Sequence, residues 1–354
     1  MCIRDRFNGL NRYDKSTGLF QNHTASDAQS DGLTHSSIWC IVKDNQGTLW
    51  LGTYFGGVNY FNPEYEIYTR YSYSSNEKQG LSNPVVGRTI EDKNGNLWIG
   101  TEGGGLNYFN RRTREFKWYR PQEGRNSISH NNVKALYYDA DKEIIWIGTH
   151  LGGLNRLDIR SGHFTHYRME DNNRQTLPSD IVRDIIPYKD LLIVATQNGV
   201  CLFDPDSGKC RQLFKDSKEG KSIKMVADIL LDSEGTLWIA ATGEGVFNYR
   251  FDTRKLTNYR HDSANPNSLS NNNVNNIMQD SQGHLWFSTS GSGLDLYHPA
   301  NNDFENFDKE KNGLASDCVY ETQESAASGK LLLITNQGFS IFDYQNMHIK
   351  NYLS

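Results

Sequence analysis

The chain has 354 residues, 36% of them hydrophobic, 22% charged and 12% aromatic, and 37 Lys and Arg against 42 Asp and Glu leave a net charge of −5. No stretch approaches the ~18 apolar residues that a spanning helix needs, and 19 Tyr, 16 Phe and 7 Trp are too many for a chain unable to build a core. The near-neutral balance, with no basic stripe, argues against a nucleic-acid binder.

Residues 1–8 contain no apolar run, so no signal peptide is visible. They also lie outside the pattern that begins at Gly9, and a truncated start is expected. Residues 9–35 open with Gly9-Leu-Asn-Arg-Tyr-Asp14. They read as two strands, half of a unit whose full form follows. Full copies begin near residues 36, 84, 132, 180, 224, 272 and 318.

The most regular element of the unit is Leu49-Trp-Leu-Gly-Thr53, then Leu97-Trp-Ile-Gly-Thr101 and Ile145-Trp-Ile-Gly-Thr149. It weakens to Leu192-Ile-Val-Ala-Thr196 and Leu237-Trp-Ile-Ala-Ala241. It returns as Leu285-Trp-Phe-Ser-Thr289 and ends as Leu331-Leu-Leu-Ile-Thr335. The start-to-start intervals are 48, 48, 47, 45, 48 and 46. An apolar alternation closing on Asp-x-x-Gly precedes it, as at Ile90-Glu-Asp92-Lys-Asn-Gly95. Gly-Leu-Asn-aromatic follows it, as at Gly105-Leu-Asn-Tyr-Phe-Asn110, and then an aromatic pair such as Phe116 and Tyr119.

Each unit is thus four short alternating runs separated by Gly, Asn and Asp, which reads as strands A to D joined by turns. Four antiparallel strands in 45–48 residues is the size of one propeller blade. A solenoid is the rival, but its rungs are usually shorter and its strands are not joined by hairpins. The expected fold is all-β: a β-propeller of seven four-stranded antiparallel blades, over residues 9–354, with an extra half blade at the N-terminus.

The repeated Trp50, Trp98, Trp146, Trp238 and Trp286 read as packing between neighbouring blades rather than as sugar-stacking platforms, because their flanks are apolar too. The glycines of Gly103-Gly-Gly105 supply positive φ or close blade approach. Asp92-Lys-Asn-Gly-Asn96 imitates the opening of a calcium loop. Its equivalents always join A to B and lack the bidentate Glu, so a hairpin turn is expected. Arg111, Arg112 and Arg114 read as a solvated hairpin end. Cys201 and Cys210 flank a predicted turn and could meet across it, although two ordinary thiols are the simpler reading. No spacing of Cys and His suggests a metal site, and no motif calls for a cofactor.

Residues that differ between copies at loop positions carry the functional information. The B–C connections and the long polar D–A connections emerge at one end of a blade. The candidate ligand-binding face is Tyr54, Phe55, Glu102, His150, Gln197, Glu244, Ser292 and Asn336. Two aromatics among amides, hydroxyls and a few charges suit a polar ligand such as a carbohydrate. Glu102, His150 and Glu244 could serve as acid and base, but no catalytic motif accompanies them, and a non-catalytic role is expected.

The repeat Leu-Trp-Ile-Gly-Thr-x-Gly-Gly-Gly-Leu-Asn-Tyr-Phe-Asn, with Leu-Ser-x-Asn-x-Val before the next Asp-x-x-Gly, resembles the two-component regulator propeller repeat. The resemblance implies the periplasmic sensor region of a hybrid two-component system histidine kinase, mainly of Bacteroidetes. It also implies an oligosaccharide ligand, a second propeller and a dimer partner in the parent receptor. Attachment to the membrane would be only through segments outside this chain. It supplies no fixed catalytic residues. A secreted protein-interaction platform is the alternative, and a propeller polysaccharide lyase or glycosidase a more distant one.

Overall fold

The computed structural model of the chain describes residues 2–5, 9–14, 19–25, 33–43, 48–62, 67–325 and 329–353. Its strands form seven four-stranded sheets and one three-stranded sheet, each sheet built from strands consecutive in the chain. The fold is the expected all-β, seven-bladed propeller. Blades 1 to 7 span 38–71, 86–119, 133–167, 182–212, 226–259, 274–307 and 319–353. Helix is confined to short turns such as Lys309–Asn312, capped by Asp308 and by Gly313 at positive φ. The chain divides into two compact units, Met1–Ile185 with Pro205–Cys210 and Ile186–Asp204 with Arg211–Ser354.

The early half blade pairs Gly9–Asp14 with Leu19–His23. Cys2–Asp5, which the sequence reading leaves outside the repeat, pairs antiparallel with Gly9–Asp14 in the place of a strand B. The partial blade therefore has three strands.

Strand B is buried along its whole length, as in Leu97–Thr101 and Leu285–Thr289. Its Trp fills the wedge against the following blade. Trp50 clusters with Val86, Ile99 and Phe109 of blade 2, and Trp98 with Val133, Ile145 and Phe164 of blade 3. Trp238 clusters with Val274, Phe287 and Phe304 of blade 6, and Trp286 with Val319, Leu333 and Phe342 of blade 7. Removing one such ring from water contributes about 4–6 kcal/mol at ~25 cal/mol per Å².

The buried indole N–H is satisfied by the Asp six residues upstream. Asp92 Oδ2 accepts from Trp98 Nε1 at 3.2 Å, Asp232 Oδ2 from Trp238 at 2.8 Å and Asp280 Oδ2 from Trp286 at 3.0 Å. The other oxygen closes the A–B turn: Asp92 Oδ1 accepts from the Asn94 and Asn96 amides, and Asp280 Oδ1 from Gln282 and His284. The calcium-loop lookalike thus uses its first carboxylate to hold a turn and a Trp. Burial opposes ionisation of Asp280, yet the donors from Trp286 and His284 outweigh it and hold the carboxyl below the usual range.

Strand C is tied to the preceding D–A connection by its repeated Asn. Asn107 Oδ1 accepts from the Ser82 amide at 2.8 Å and Asn107 Nδ2 donates to Ser82 Oγ at 2.8 Å. Asn155 repeats both bonds with Ser129, and Asn59 with Thr34. Blade 6 has Asp295 at this position, accepting from Ser270 N at 3.0 Å and Ser270 Oγ at 2.8 Å.

The Thr that ends strand B clamps the loop after it. Thr101 Oγ1 donates to the Gly105 carbonyl at 2.8 Å and accepts from the Gly104 amide at 3.2 Å. Gly105 has φ +81, and a Cβ there would lie 2.2 Å from the Tyr119 carbonyl oxygen, so both its freedom and its small size are required. Gly100 answers a different need: a Cβ would meet Val133 of the next blade at 2.6 Å. Cys40, Cys201, Cys210 and Cys318 are all thiols, so the Cys201–Cys210 bridge is not formed, and both of those side chains are buried.

Candidate ligand-binding face

The first residue after strand B bonds through its amide to the residues leading into strand A. Tyr54 N donates to Ser37 O at 2.9 Å, Glu102 N to Val85 O at 3.0 Å, His150 N to Asn132 O at 2.9 Å and Ser290 N to Asn273 O at 2.9 Å. The glycine at positive φ then bonds to the next D–A connection: Gly105 N to Asn131 O at 2.6 Å, Gly153 N to Asp180 O at 2.8 Å, Gly293 N to Asp317 O at 2.8 Å. The B–C loops, the D–A connections and the start of strand A therefore meet at one end of the strands within each unit.

In the first unit, Tyr54 and Phe55 form an aromatic group with Trp39. Trp39 stacks on Tyr54 at 5.2 Å and 11°, and Phe55 stands edge-on to Tyr54 at 4.2 Å. Phe55 is 55% exposed, a large apolar ring offered to solvent. On blades 2 to 4 the group is charged. Glu102 forms an ion pair with Lys134. The His150 ring lies 6.3 Å from that of His130, whose Nδ1 accepts from the Asn132 amide. His150 Nδ1, Asn132 Oδ1 and Arg183 Nε are enclosed atoms without a hydrogen-bond partner. Burial first, then the charges of Lys134 and Arg183 and the neighbouring His130, push the His150 imidazole below its ordinary range, with Glu102 opposing.

In the second unit the sequence-predicted residues are more fully engaged. Glu244 pairs with Arg260. Ser292 Oγ accepts from Asn271 Nδ2 at 3.2 Å, and Asn336 Oδ1 accepts from Ser316 Oγ at 2.5 Å. Gln197 contributes its carbonyl to the Met225 amide at 2.7 Å. The eight candidate residues thus fall four to each unit. Those of blades 2 and 3 share one charged group, and those of the second unit are each held by a local partner.

The sequence reading missed a second variable position. Strand A carries a β-bulge at its start: Val133 pairs with Thr149 and Ala135 with Gly148, which leaves Lys134 as the extra residue. The same interruption places Trp39 between Ile38 and Cys40, Ala227 between Val226 and Asp228, Asn275 between Val274 and Asn276, and Tyr320 between Val319 and Glu321. In blade 2, Gly87 and Arg88 stand opposite Gly100, and in blade 4 Arg183 follows Val182 as Lys134 follows Val133. Bulges re-aim a side chain out of the ladder and are enriched at sites. The available signal was the unlike residue after a repeated Val.

A cleft of about 500 Å³ opens between blades 1 and 2 near the A–B and C–D turns, lined by Trp50, Tyr60, Tyr71, Lys93, Arg111 and Arg114 among others. Arg111 is not the solvated hairpin end expected: its guanidinium lies 5.1 Å over the Trp50 ring and donates to the Gly95 carbonyl at 3.1 Å. Arg112 and Arg114 are exposed. Among the described residues no group of His, Cys, Asp and Glu could hold a metal ion, and no helix is long and apolar enough to cross a membrane.

No curated protein sequence matches the chain. The extracellular domain of BT4673 from B. thetaiotaomicron, assigned to a hybrid two component system, matches at 18% identity with a TM-score of 0.53, covering 100% of this chain and 59% of that one. PorZ, a surface component of the type-IX secretion system of Porphyromonas gingivalis, matches at 15% and 0.64, covering 94% and 49%. A catalytically inactive virginiamycin B lyase from Staphylococcus aureus, solved with quinupristin, matches at 12% and 0.59, covering 89% and 95%. These likenesses are of fold, and the chain spans only part of the first two. The two component regulator propeller family matches residues 32–55, 80–103, 127–150 and 268–291, each the approach to strand A through the end of strand B. Blades 1, 2, 3 and 6 thus carry two component regulator propeller repeats.

Proposed function

We propose that the chain is the ligand-sensing propeller of a two-component signalling receptor, that it works in the periplasm, and that it takes an oligosaccharide and does no chemistry on it. The observation that carries the reading is the match of four blades to the regulator propeller repeat. A variable rim on a repeated frame supports it. So does the shared fold with the extracellular domain of BT4673.

The mechanism is population shift. Ligand on the loop-rich end would favour one placement of this propeller against a second propeller and against a partner receptor chain. The effect on a membrane kinase is limited to the difference in ligand affinity between the two placements.

Calorimetry of the chain against plant and host oligosaccharides tests this. Saturable binding without product is the expected result. Product formation abolished by Glu102→Gln or His150→Ala would replace the sensor with an enzyme. Silence with every glycan, together with stable capture of another protein, would replace it with an interaction platform.

A further inference from the structure

We propose that the first unit carries an anion-recognition arc, in which Arg88, Lys134 and Arg183 at the start of strand A of blades 2, 3 and 4, with His150 beside the last two, take the carboxylate or sulfate group of an acidic sugar. This rests on the sensor reading and adds the charge class of the ligand.

Three observations converge on it. First, cations open strand A on consecutive blades: Lys134 and Arg183 directly follow the buried Val, and Arg88 comes one residue later, after Gly87, whereas Ala227, Asn275 and Tyr320 follow the Val in the second unit. Strand A of blade 2 touches strand A of both blade 1 and blade 3, and the His150 ring of blade 3 lies within the charge field of both Lys134 and Arg183, which links blade 3 to blade 4. Second, the arc is under-compensated. Glu102 neutralises Lys134, but Arg183 is half-buried with its Nε enclosed and without a hydrogen-bond partner. A guanidinium removed partly from water without a carboxylate is costly unless a ligand supplies one. Its planar fork suits a carboxylate or a sulfate. Third, Lys134 and Arg183 face His150. The charged and titratable groups around that ring are Lys134, Arg183, His130 and Glu102. Of these, two are fixed cations and one is a carboxylate already engaged, so the local field is positive. The exposed Phe55 and the stacked Trp39–Tyr54 pair on blade 1 provide an apolar surface at the same end of the strands for the ring face of a sugar.

The test uses the whole chain with glucuronate, sodium sulfate and glucose as probes, read by calorimetry and by the NMR signals of the His150 ring. Glucuronate is expected to saturate, to bind at least tenfold more weakly to Arg183→Gln than to the parent, and to weaken as ionic strength rises. The His150 titration midpoint should rise with glucuronate bound, because an anion there favours the imidazolium. Glucose should leave the His150 signals unmoved. Sulfate binding as tightly as glucuronate would support the arc while assigning it to a free oxyanion. Arg88→Gln gives an independent variant at an exposed residue. Saturable glucuronate binding unaffected by either substitution, or no saturation by either anion, would overturn the arc. Binding of neutral oligosaccharides in that case would leave the sensor reading standing.

Discussion

Asp295 is the sharpest place to test how the blades are held together. It occupies the strand C position where blades 1, 2 and 3 have Asn59, Asn107 and Asn155, and it is 0% exposed. Burial pushes its carboxyl from 3.8 up to about 6, although donors from Ser270 and Asn306 and the charge of His261 pull the other way. The folded state therefore keeps a proton that the unfolded chain has lost between about pH 4 and pH 6. Stability is highest below that window, falls as pH rises through it and is flat above.

A shift of about two units corresponds to about 3 kcal/mol, at 1.36 kcal/mol per unit. Asp295→Asn removes the titration and can recover the reciprocal pair that Asn107 makes with Ser82. Compared with the parent, the variant should gain about 2 kcal/mol between pH 4.5 and pH 7.5. For a cooperative unit of this size that is ~2–3 °C in Tm. Calorimetry of both proteins at fixed ionic strength across that range reads it. The pH-dependent part of the difference is independent of any mismatch between the new amide and Asn306. A Tm difference identical at pH 4.5 and pH 7.5 would refute the assignment of a raised carboxyl.

Asn107→Asp is the converse: it should lower Tm by ~2–3 °C more at pH 7.5 than at pH 4.5. Gly105→Ala forces an L-residue to φ +81 with its Cβ against the Tyr119 carbonyl, and should cost at least ~2 kcal/mol. Gly124→Ala, at φ +70 with nothing within 4 Å, should cost only about 1 kcal/mol, so the pair separates clash from strain in one melting experiment. Asp232→Ala strips the acceptor from Trp238 Nε1 and the clamp from the Glu234 and Thr236 amides. It should cost about 2–4 kcal/mol and shift Trp fluorescence.

The repeated frame was legible because each of its residues answers a local need that recurs with the blade. Trp98 fills a wedge, Gly100 lets Val133 in, and Gly105 turns the chain at positive φ, and a need that recurs from blade to blade leaves its mark on the sequence, with Trp in five of the seven copies. The Asp92–Trp98 bond was not read, although Asp232 and Asp280 keep the same spacing of six. The turn explanation sufficed for Asp and the packing explanation for Trp, and neither called for the other. Cys2–Asp5 was not read as a strand because its residues do not repeat the strand B pattern. Of the site, the B–C loops were legible as variable positions, but their engagement was not. Glu244 and Asn336 look as free in the sequence as His150 does.

The bulge positions show why half of a binding face can hide in a repeat. A bulge shared by blades 1, 2, 3, 5, 6 and 7 shifts none of these copies relative to another, so aligning them gives no sign of an insertion. It does break the two-residue alternation: Val133 is buried, Lys134 is set out of the ladder, and Ala135 is buried again beside Leu136. The extra residue is set out of the ladder, and its partners differ from blade to blade: Lys134 pairs with Glu102, and Asn275 Nδ2 donates to the Val319 carbonyl of blade 7. Core packing therefore places no common demand on it, and Trp, Arg, Lys, Ala, Asn and Tyr can follow a buried Val or Ile, with Gly87 between in blade 2, without altering the frame. The B–C loops are tied down by Thr101 Oγ1 and by the Gly105 amide, so they can vary mainly at their first residues. A propeller of this kind can change its ligand at two rings of positions without altering the repeated frame, and the residue after the buried Val is cationic on blades 3 and 4 of this chain.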